Sequence, residues 1–184
     1  MSADELLTDR LALRPMRPGD VPAFAAYRRD PDVARWQSWG TDYSDADGER
    51  LVAAQAGAGL AEPGRWVQVA VLDRSTGELC GDCAVHLDEG PPRTAEVGVT
   101  FAPESQGRGL ATEALRAFVT HLFSELDTHR VIAQADDRNE PVHRLLERLG
   151  FRCEARHVDA EWFKGDWCTM RTYAVLRREW SSRA

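Results

Sequence analysis

The residues best suited to chemistry lie in Pro103-Glu104-Ser105-Gln106-Gly107-Arg108-Gly109-Leu110-Ala111-Thr112-Glu113-Ala114, where two glycines separate a strand-like run from an amphipathic helical one. The first N–H groups of a helix have no partner within it and sit at the positive end of its dipole. Glycines let an anion approach such a backbone closely. The stretch therefore reads as an anion site suited to a pyrophosphate. The plainer reading of a lone G-x-G is a tight turn whose glycines serve only positive φ. The loop lacks the Lys and Ser/Thr of G-x-x-x-x-G-K-S/T and the third glycine of G-x-G-x-x-G. Neither an NTPase nor a dinucleotide fold is supported.

Cys80 and Cys83 form a C-x-x-C, but no second pair at metal spacing follows. The surrounding GELCGDCAVHL looks like a strand, in which positions three apart point to opposite faces. The two thiols are expected to diverge and to act as small buried hydrophobes, as are Cys153 and Cys168. No metal is expected.

Around these residues stands a chain of 184 residues, 43% hydrophobic and 29% charged, enough for one sizeable core and one domain spanning 1–184. A net charge of −7 argues against wrapping nucleic acid, which needs clustered Lys and Arg. Residues 1–10 contain acids and no apolar h-region, and no run approaches the ~18 apolar residues of a membrane span. These features predict a soluble, cytoplasmic protein that binds neither membrane nor nucleic acid.

The elements that must position the loop follow from periodicity. Residues 11–16 alternate as a strand. Gly19-Asp20 with Pro22 starts a helix over VPAFAAYRRD, and Pro31-Asp32 breaks the chain. Ser44 or Asp45 opens a second helix that ends among Gly57 and Gly59. RWVQVAVLD and ELCGDCAVHLD alternate around Ser75-Thr76-Gly77 as a hairpin, and TAEVGVTF follows Gly90-Pro91-Pro92 as a third strand. In LATEALRAFVTHLF, Ala111, Leu115, Phe118 and Leu122 share one helical face. RVIAQAD reads as a buried strand. NEPVHRLLERLG is a helix with Val142, Leu145, Leu146 and Leu149 on its apolar stripe, ended by Gly150. FRCEARHV and WCTMRTYAVLRR close the chain as strands. The sum is an α/β or α+β domain with a mixed sheet and helices on its faces.

Gln106-Gly107-Arg108-Gly109-Leu110-Ala111 resembles the Q/R-x-x-G-x-G/A motif of Gcn5-related N-acetyltransferases (GNAT), with Phe101-Ala102-Pro103 before it and Ala-Thr-Glu-Ala after it. Asn139-Glu140-Pro141-Val142-His143-Arg144-Leu145-Leu146-Glu147-Arg148-Leu149-Gly150-Phe151 resembles the asparagine-led helix of that family. LTDRLALRPMRPGD near the start and WFKGDWCTMRTYAVLRREW near the end resemble the RimJ/RimL branch, so the likeness covers nearly the whole chain. It implies the GNAT fold: a mixed, mostly antiparallel central sheet flanked by helices, with splayed parallel strands holding acetyl-CoA.

The resemblance also implies roles. Gln106, Gly107, Arg108, Gly109, Leu110, Ala111 and Thr112 would bind the pyrophosphate of coenzyme A. Val99, Thr100 and Phe101 would offer backbone groups to the pantetheine and the acetyl carbonyl, where an N–H stabilises the developing negative charge. Asn139 would bond the pantetheine arm, or serve as a plain helix N-cap. Trp36 and Trp39 fall where the family builds its acceptor pocket, or are large core residues. An amine must lose a proton to attack. Glu96 is the first choice for the base, with His86, His157 and Asp159 as others. The family's thiolate-acid positions are Leu146 and Val142 here, and His143 is rotated away by about 100°.

The implied activity is acetyl transfer from acetyl-CoA to a small-molecule or peptide amine by a monomer or homodimer. A coenzyme A-binding regulatory module, or a transferase of a longer acyl group such as succinyl, is the alternative.

Overall fold

The computed structural model describes residues 5–91 and 93–181. Pro92, the last residue of the expected turn, lies outside them, as do the first four residues of the amino-terminal segment. Eight strands form one sheet: β1 Leu6–Leu7, β2 Leu11–Pro15, β3 Trp66–Asp73, β4 Leu79–Leu87, β5 Arg93–Phe101, β6 Thr128–Asp136, β7 Arg152–Phe163 and β8 Asp166–Leu176. Their order is β1-β2-β3-β4-β5-β6-β8-β7, and β5–β6 is the parallel pair in an otherwise antiparallel sheet. Parallel neighbours need a crossover. Helix α4, Leu110–Glu125, supplies it.

The remaining helices are α1 Val21–Arg28, α2 Pro31–Ala34, α3 Asp45–Ala54, α5 Glu140–Arg148 and α6 Arg177–Ser181. Ser44 caps α3 in a capping box with Asp47, as the Ser44-Asp45 start signal requires. Strand alternation divides the sheet into two faces. Cys83, Val85 and Leu87 of β4 join the larger core, with Leu115, Phe118 and Leu122 of α4 and Leu145 and Leu146 of α5. Each such buried side chain contributes ~1.5–3 kcal/mol, far above the few tenths that helix propensity gives, so the apolar stripe fixes where α4 docks. Ala111, at the open end of that stripe, is only partly buried. On the other face a second cluster packs Phe24 and Tyr27 of α1 and Val52 of α3 over Ala70 of β3.

Three local expectations are corrected. Cys80 and Cys83 do not diverge, since both are buried in the larger core. Register passes from Val71↔Gly81 to Leu72↔Leu79, so Cys80 is the extra residue of a bulge that breaks the alternation. Cys153 is exposed, because β7 is the edge of the sheet and nearly all of it faces solvent. The last strand ends at Leu176 rather than continuing through the arginines. There α6 begins, and its Trp180 is buried with Nε1 donating to Thr120 Oγ1 at 3.0 Å.

Short α2 occupies the expected break at Pro31-Asp32. Asp30 accepts from the N–H groups of Asp32 and Val33, and Pro31 sits in the first turn, where its missing N–H costs nothing.

Candidate active site

The registered pairing of β5 with β6 runs from Arg93↔Thr128 to Glu96↔Ile132 and stops, although β5 continues to Phe101 and β6 to Asp136. The parallel strands therefore splay over Val97–Phe101 and Ala133–Asp136. Ala102 N–H donates to Cys80 O at 2.9 Å, which fixes the direction of the alternating groups. Gly98 and Thr100 then turn their backbone toward β4, and Val97 and Val99 turn theirs toward the gap. An unpaired strand edge thus lines the splay. A cleft of about 260 Å³ passes through it, walled by Val97, Val99, Leu115, Ala133, Asn139 and Leu146 on its α4–α5 side.

Between β5 and α4, Gly107 and Gly109 have φ of 71° and 77°, a left-handed backbone that favours glycine. A Cβ at Gly107 would meet nothing within 4 Å, and one at Gly109 would meet only Arg10 Nη2 at 3.7 Å. The first helical bond of α4 is Glu113 N–H to Gly109 O at 3.2 Å, so the amides of Leu110, Ala111 and Thr112 precede the ladder. Open space above left-handed glycines and leading helix amides gives this loop the geometry of an anion cradle.

Other members of the loop are already engaged. Gln106 gives its side-chain Nε2 to Phe101 O at 2.9 Å and its N–H to Pro103 O at 3.2 Å, so it fastens the strand end. Arg108 lies 4.0 Å from Asp73 across an exposed gap, and its carbonyl accepts from Arg10. The Leu110 side chain is core, leaving only its amide for a ligand. Thr112 Oγ1 accepts from Arg148 Nη1 at 3.5 Å. Phe101 is buried, and Thr100 Oγ1 accepts from Gln37 Nε2 at 3.3 Å.

Asn139 stands at the start of α5, where its side chain makes no cap bond and lines the cleft. Val142 and Leu146 line it as well, so both residues at the family's thiolate-acid positions face the cleft and are apolar. His143 is buried, stacked on Tyr173 at 5.5 Å, with Nε2 near Asp137 O.

On the opposite side, Trp36 and Trp39 both line the cleft. Trp39 has a structural part too, since its Nε1 donates to Arg28 O at 3.1 Å and its ring covers the Arg28 guanidinium at 3.6 Å. Lys164, at the tip of the β7–β8 hairpin, donates to Ala34 O at 2.5 Å and Trp39 O at 2.7 Å. The hairpin is thereby tied across the cleft to the segment carrying both tryptophans, and burial lowers the Lys164 pKa.

Glu96 is half-buried on the β5 face shared by Gly98 and Thr100, but outside the cleft lining. Its Oε1 accepts from Gln134 Nε2 at 3.3 Å. His86 is its register partner on β4 and packs against Trp66, while His157 and Asp159 are exposed on β7.

Several lining residues were not anticipated: Arg28, Gln37, Gln68, Asp82 and Glu161. Asp82 is 1% exposed on β4, with Tyr27 O–H donating to its Oδ1 at 2.5 Å and Arg28 Nη2 at 3.5 Å from its Oδ2. Burial raises its pKa, with Arg28 and Tyr27 pulling the other way. Asp136 differs. The Arg138 guanidinium holds it at 2.7 and 2.9 Å and depresses its pKa. Among the described residues no group of three or more His, Cys, Asp or Glu could hold a metal. No described helix is long and apolar enough to cross a membrane.

A splayed parallel pair beside a glycine loop at a helix start defines a coenzyme A-type acyltransferase architecture, and comparison with known proteins makes the class specific. Residues 10–152 match the acetyltransferase (GNAT) domain family. A putative ribosomal N-acetyltransferase of Bacillus subtilis, YdaF, is 36% identical over 104 residues, 56% of this chain and 57% of that one. The crystal structure of a GNAT-family acetyltransferase from Bacillus anthracis superposes with a TM-score of 0.85 at 26% identity, covering 95% of this chain and 99% of that one. Mycobacterium smegmatis RimJ in complex with CoA-disulfide shares the fold, with a TM-score of 0.79 at 24% identity over 92% and 83% of the two chains.

The chain belongs to the GNAT family and is an acetyl-CoA-dependent N-acetyltransferase.

Proposed function

We propose that the chain, acting as one domain, transfers acetyl from acetyl-CoA to a primary amine by direct attack in a ternary complex. The acceptor is a protein N-terminus or a small-molecule amine. The observation that carries this reading is the splay itself: β5 turns the Val97 and Val99 amides into a cleft, and the Gly107–Gly109 loop follows the end of that strand at the start of α4. The cradle amides from Gly107 to Thr112 hold the pyrophosphate. The β5 edge and Asn139 hold the pantetheine arm, and Val99 N–H meets the thioester carbonyl.

Attack by an amine puts negative charge on that carbonyl oxygen. A fixed donor aimed there is worth ~10²–10³ in rate. Trp36 and Trp39, roofed by the Lys164 hairpin, form the acceptor end of the cleft. The apolar Val142 and Leu146 leave coenzyme A to depart as a thiolate, which its acidity allows. Glu96 could take the amine proton only through a bridging water, because it stands outside the lining.

The test is a panel of peptide and small-molecule amines incubated with acetyl-CoA, reading released thiol. Thiol release that requires both protein and one class of amine supports the proposal. A rise in melting temperature with coenzyme A, without thiol release for any amine, would make the chain a coenzyme A-binding module instead.

A further inference from the structure

Among the described residues, three carboxylates line the cleft: Asp82, Asp136 and Glu161. Asp136 is gripped by Arg138, which makes it a weak base. Glu161 is exposed on the edge strand β7, toward the hairpin tip. Asp82 and Asp136 are both buried, at 1% and 9% exposure, but only Asp136 has both oxygens held by a guanidinium within 3 Å. Asp82 is the register partner of Thr100, which follows Val99 on β5. Neighbouring strands lie ~4.8 Å apart and the carbonyl is held on the far edge of β5, so an acceptor nitrogen lying over β5 passes its proton to an Asp82 oxygen through one bridging water.

We propose that Asp82 is the catalytic base that takes a proton from the acceptor ammonium, a role that rests on the acetyltransferase reading above. Tyr27 occupies Oδ1, and Oδ2 has Arg28 no closer than 3.5 Å, so Oδ2 is the oxygen that receives the proton. The ammonium N–H bond breaks and its electron pair stays on nitrogen. That pair forms the new C–N bond as the C–S bond breaks and coenzyme A leaves as the thiolate. The second amine proton is lost to solvent, and Asp82 returns its own there.

Arg28, whose guanidinium is stacked among Phe24, Trp39 and Tyr43 at 3.9, 3.6 and 5.1 Å, faces Asp82 and favours its charged form. The ionisable groups around Asp82 are Tyr27 and Arg28 from α1, Tyr43 ahead of α3, and His86 further along its own strand face. Burial outweighs them and moves the carboxyl upward, toward the pH at which a base works best. The bland role for the same group is to dock α1 on β4, and the experiment separates the two.

The measurement is kcat and kcat/KM against pH for the intact chain, Asp82→Asn and Glu96→Gln, with an acceptor found in the amine panel. Asparagine keeps an acceptor for Tyr27 and cannot take a proton. The expected loss in kcat near neutral pH is ~10²–10⁴-fold, shrinking as pH approaches the amine pKa, with the melting-temperature rise by coenzyme A retained. Glu96→Gln should keep the acid limb of the profile. A near-normal kcat in Asp82→Asn, or a deficit equal at every pH and matched by lost stability, would overturn the assignment. If Asp82→Asn does not fold, Glu96→Gln decides: a retained acid limb supports Asp82, and a vanished one contradicts it. Absence of any turnover by the unmodified chain would instead remove the acetyltransferase reading itself.

Discussion

Glu96 and Ile132 are the last registered pair between β5 and β6, and the cleft opens directly beyond them. From that pair onward the backbone of β5 is paired on its β4 side only. A sheet edge inside a protein is a set of donors and acceptors awaiting an extended partner.

Val99 carries the amide expected to face the thioester carbonyl. Val99→Pro deletes that N–H at a position where the ladder to β4 does not use it, so folding should survive. The expected result is a fall in kcat of ~10²–10³ with a melting temperature close to the unmodified chain's. Steady-state kinetics beside thermal unfolding checks both halves. An unaffected kcat would remove Val99 N–H from the mechanism.

Gly109→Val places a β-branched residue at φ 77° and fills the open space above the cradle. Left-handed backbone costs a non-glycine residue ~1–2 kcal/mol, a loss a folded domain can bear. Coenzyme A affinity should weaken on the order of tenfold or more, which corresponds to about 1.4 kcal/mol. Calorimetric titration of the folded variant measures it, and unchanged affinity would dismiss the phosphate role of the loop.

Asp137, between β6 and α5, is held by Arg156 of β7 at 2.8 Å and by Arg171 of β8. Their hydrogen bonds lower its carboxyl to about 2 from 3.8. A depressed acid stabilises the fold fully above its unfolded value and loses that contribution as pH falls through the folded one. The chain should therefore lose stability between roughly pH 4 and pH 2, and Asp137→Asn should flatten that part of the curve. Thermal unfolding across this range is the check. An identical acid slope in the variant would show that other carboxylates, such as Glu154 with Arg130 and Arg152, carry the dependence.

What the sequence disclosed depended on how local the signal was. The Gly107–Gly109 loop, the α4 stripe and the Asn139-led helix are short-range patterns, and the structure builds each at the expected place. The Cys80 bulge was hidden because a one-residue shift depends on the partner strand, which β4 does not encode alone. Trp39 gave no sign that its ring stacks on Arg28, since α1 and the segment after α2 meet only in the fold. Asp82 leaves one trace in the sequence: a lone acid between Gly81 and Cys83 in a strand otherwise suited to burial. A charge there must find partners or a function, and its partners lie more than fifty residues away on α1. Glu96 carried the stronger sequence signal because its strand precedes the loop, but strand position does not reveal whether a side chain reaches the cleft.

Direct transfer in a ternary complex is tested most plainly by where the acetyl group goes. Isotopically labelled acetyl-CoA should be incubated with the protein, first alone and then with the amine class identified by thiol release, and every product weighed by mass spectrometry. Direct transfer predicts no label on the protein without amine, and labelled acetyl-amine equal to the coenzyme A released once amine is present. Label retained covalently on the protein in the absence of amine, or thiol released with no labelled amine formed, would contradict it.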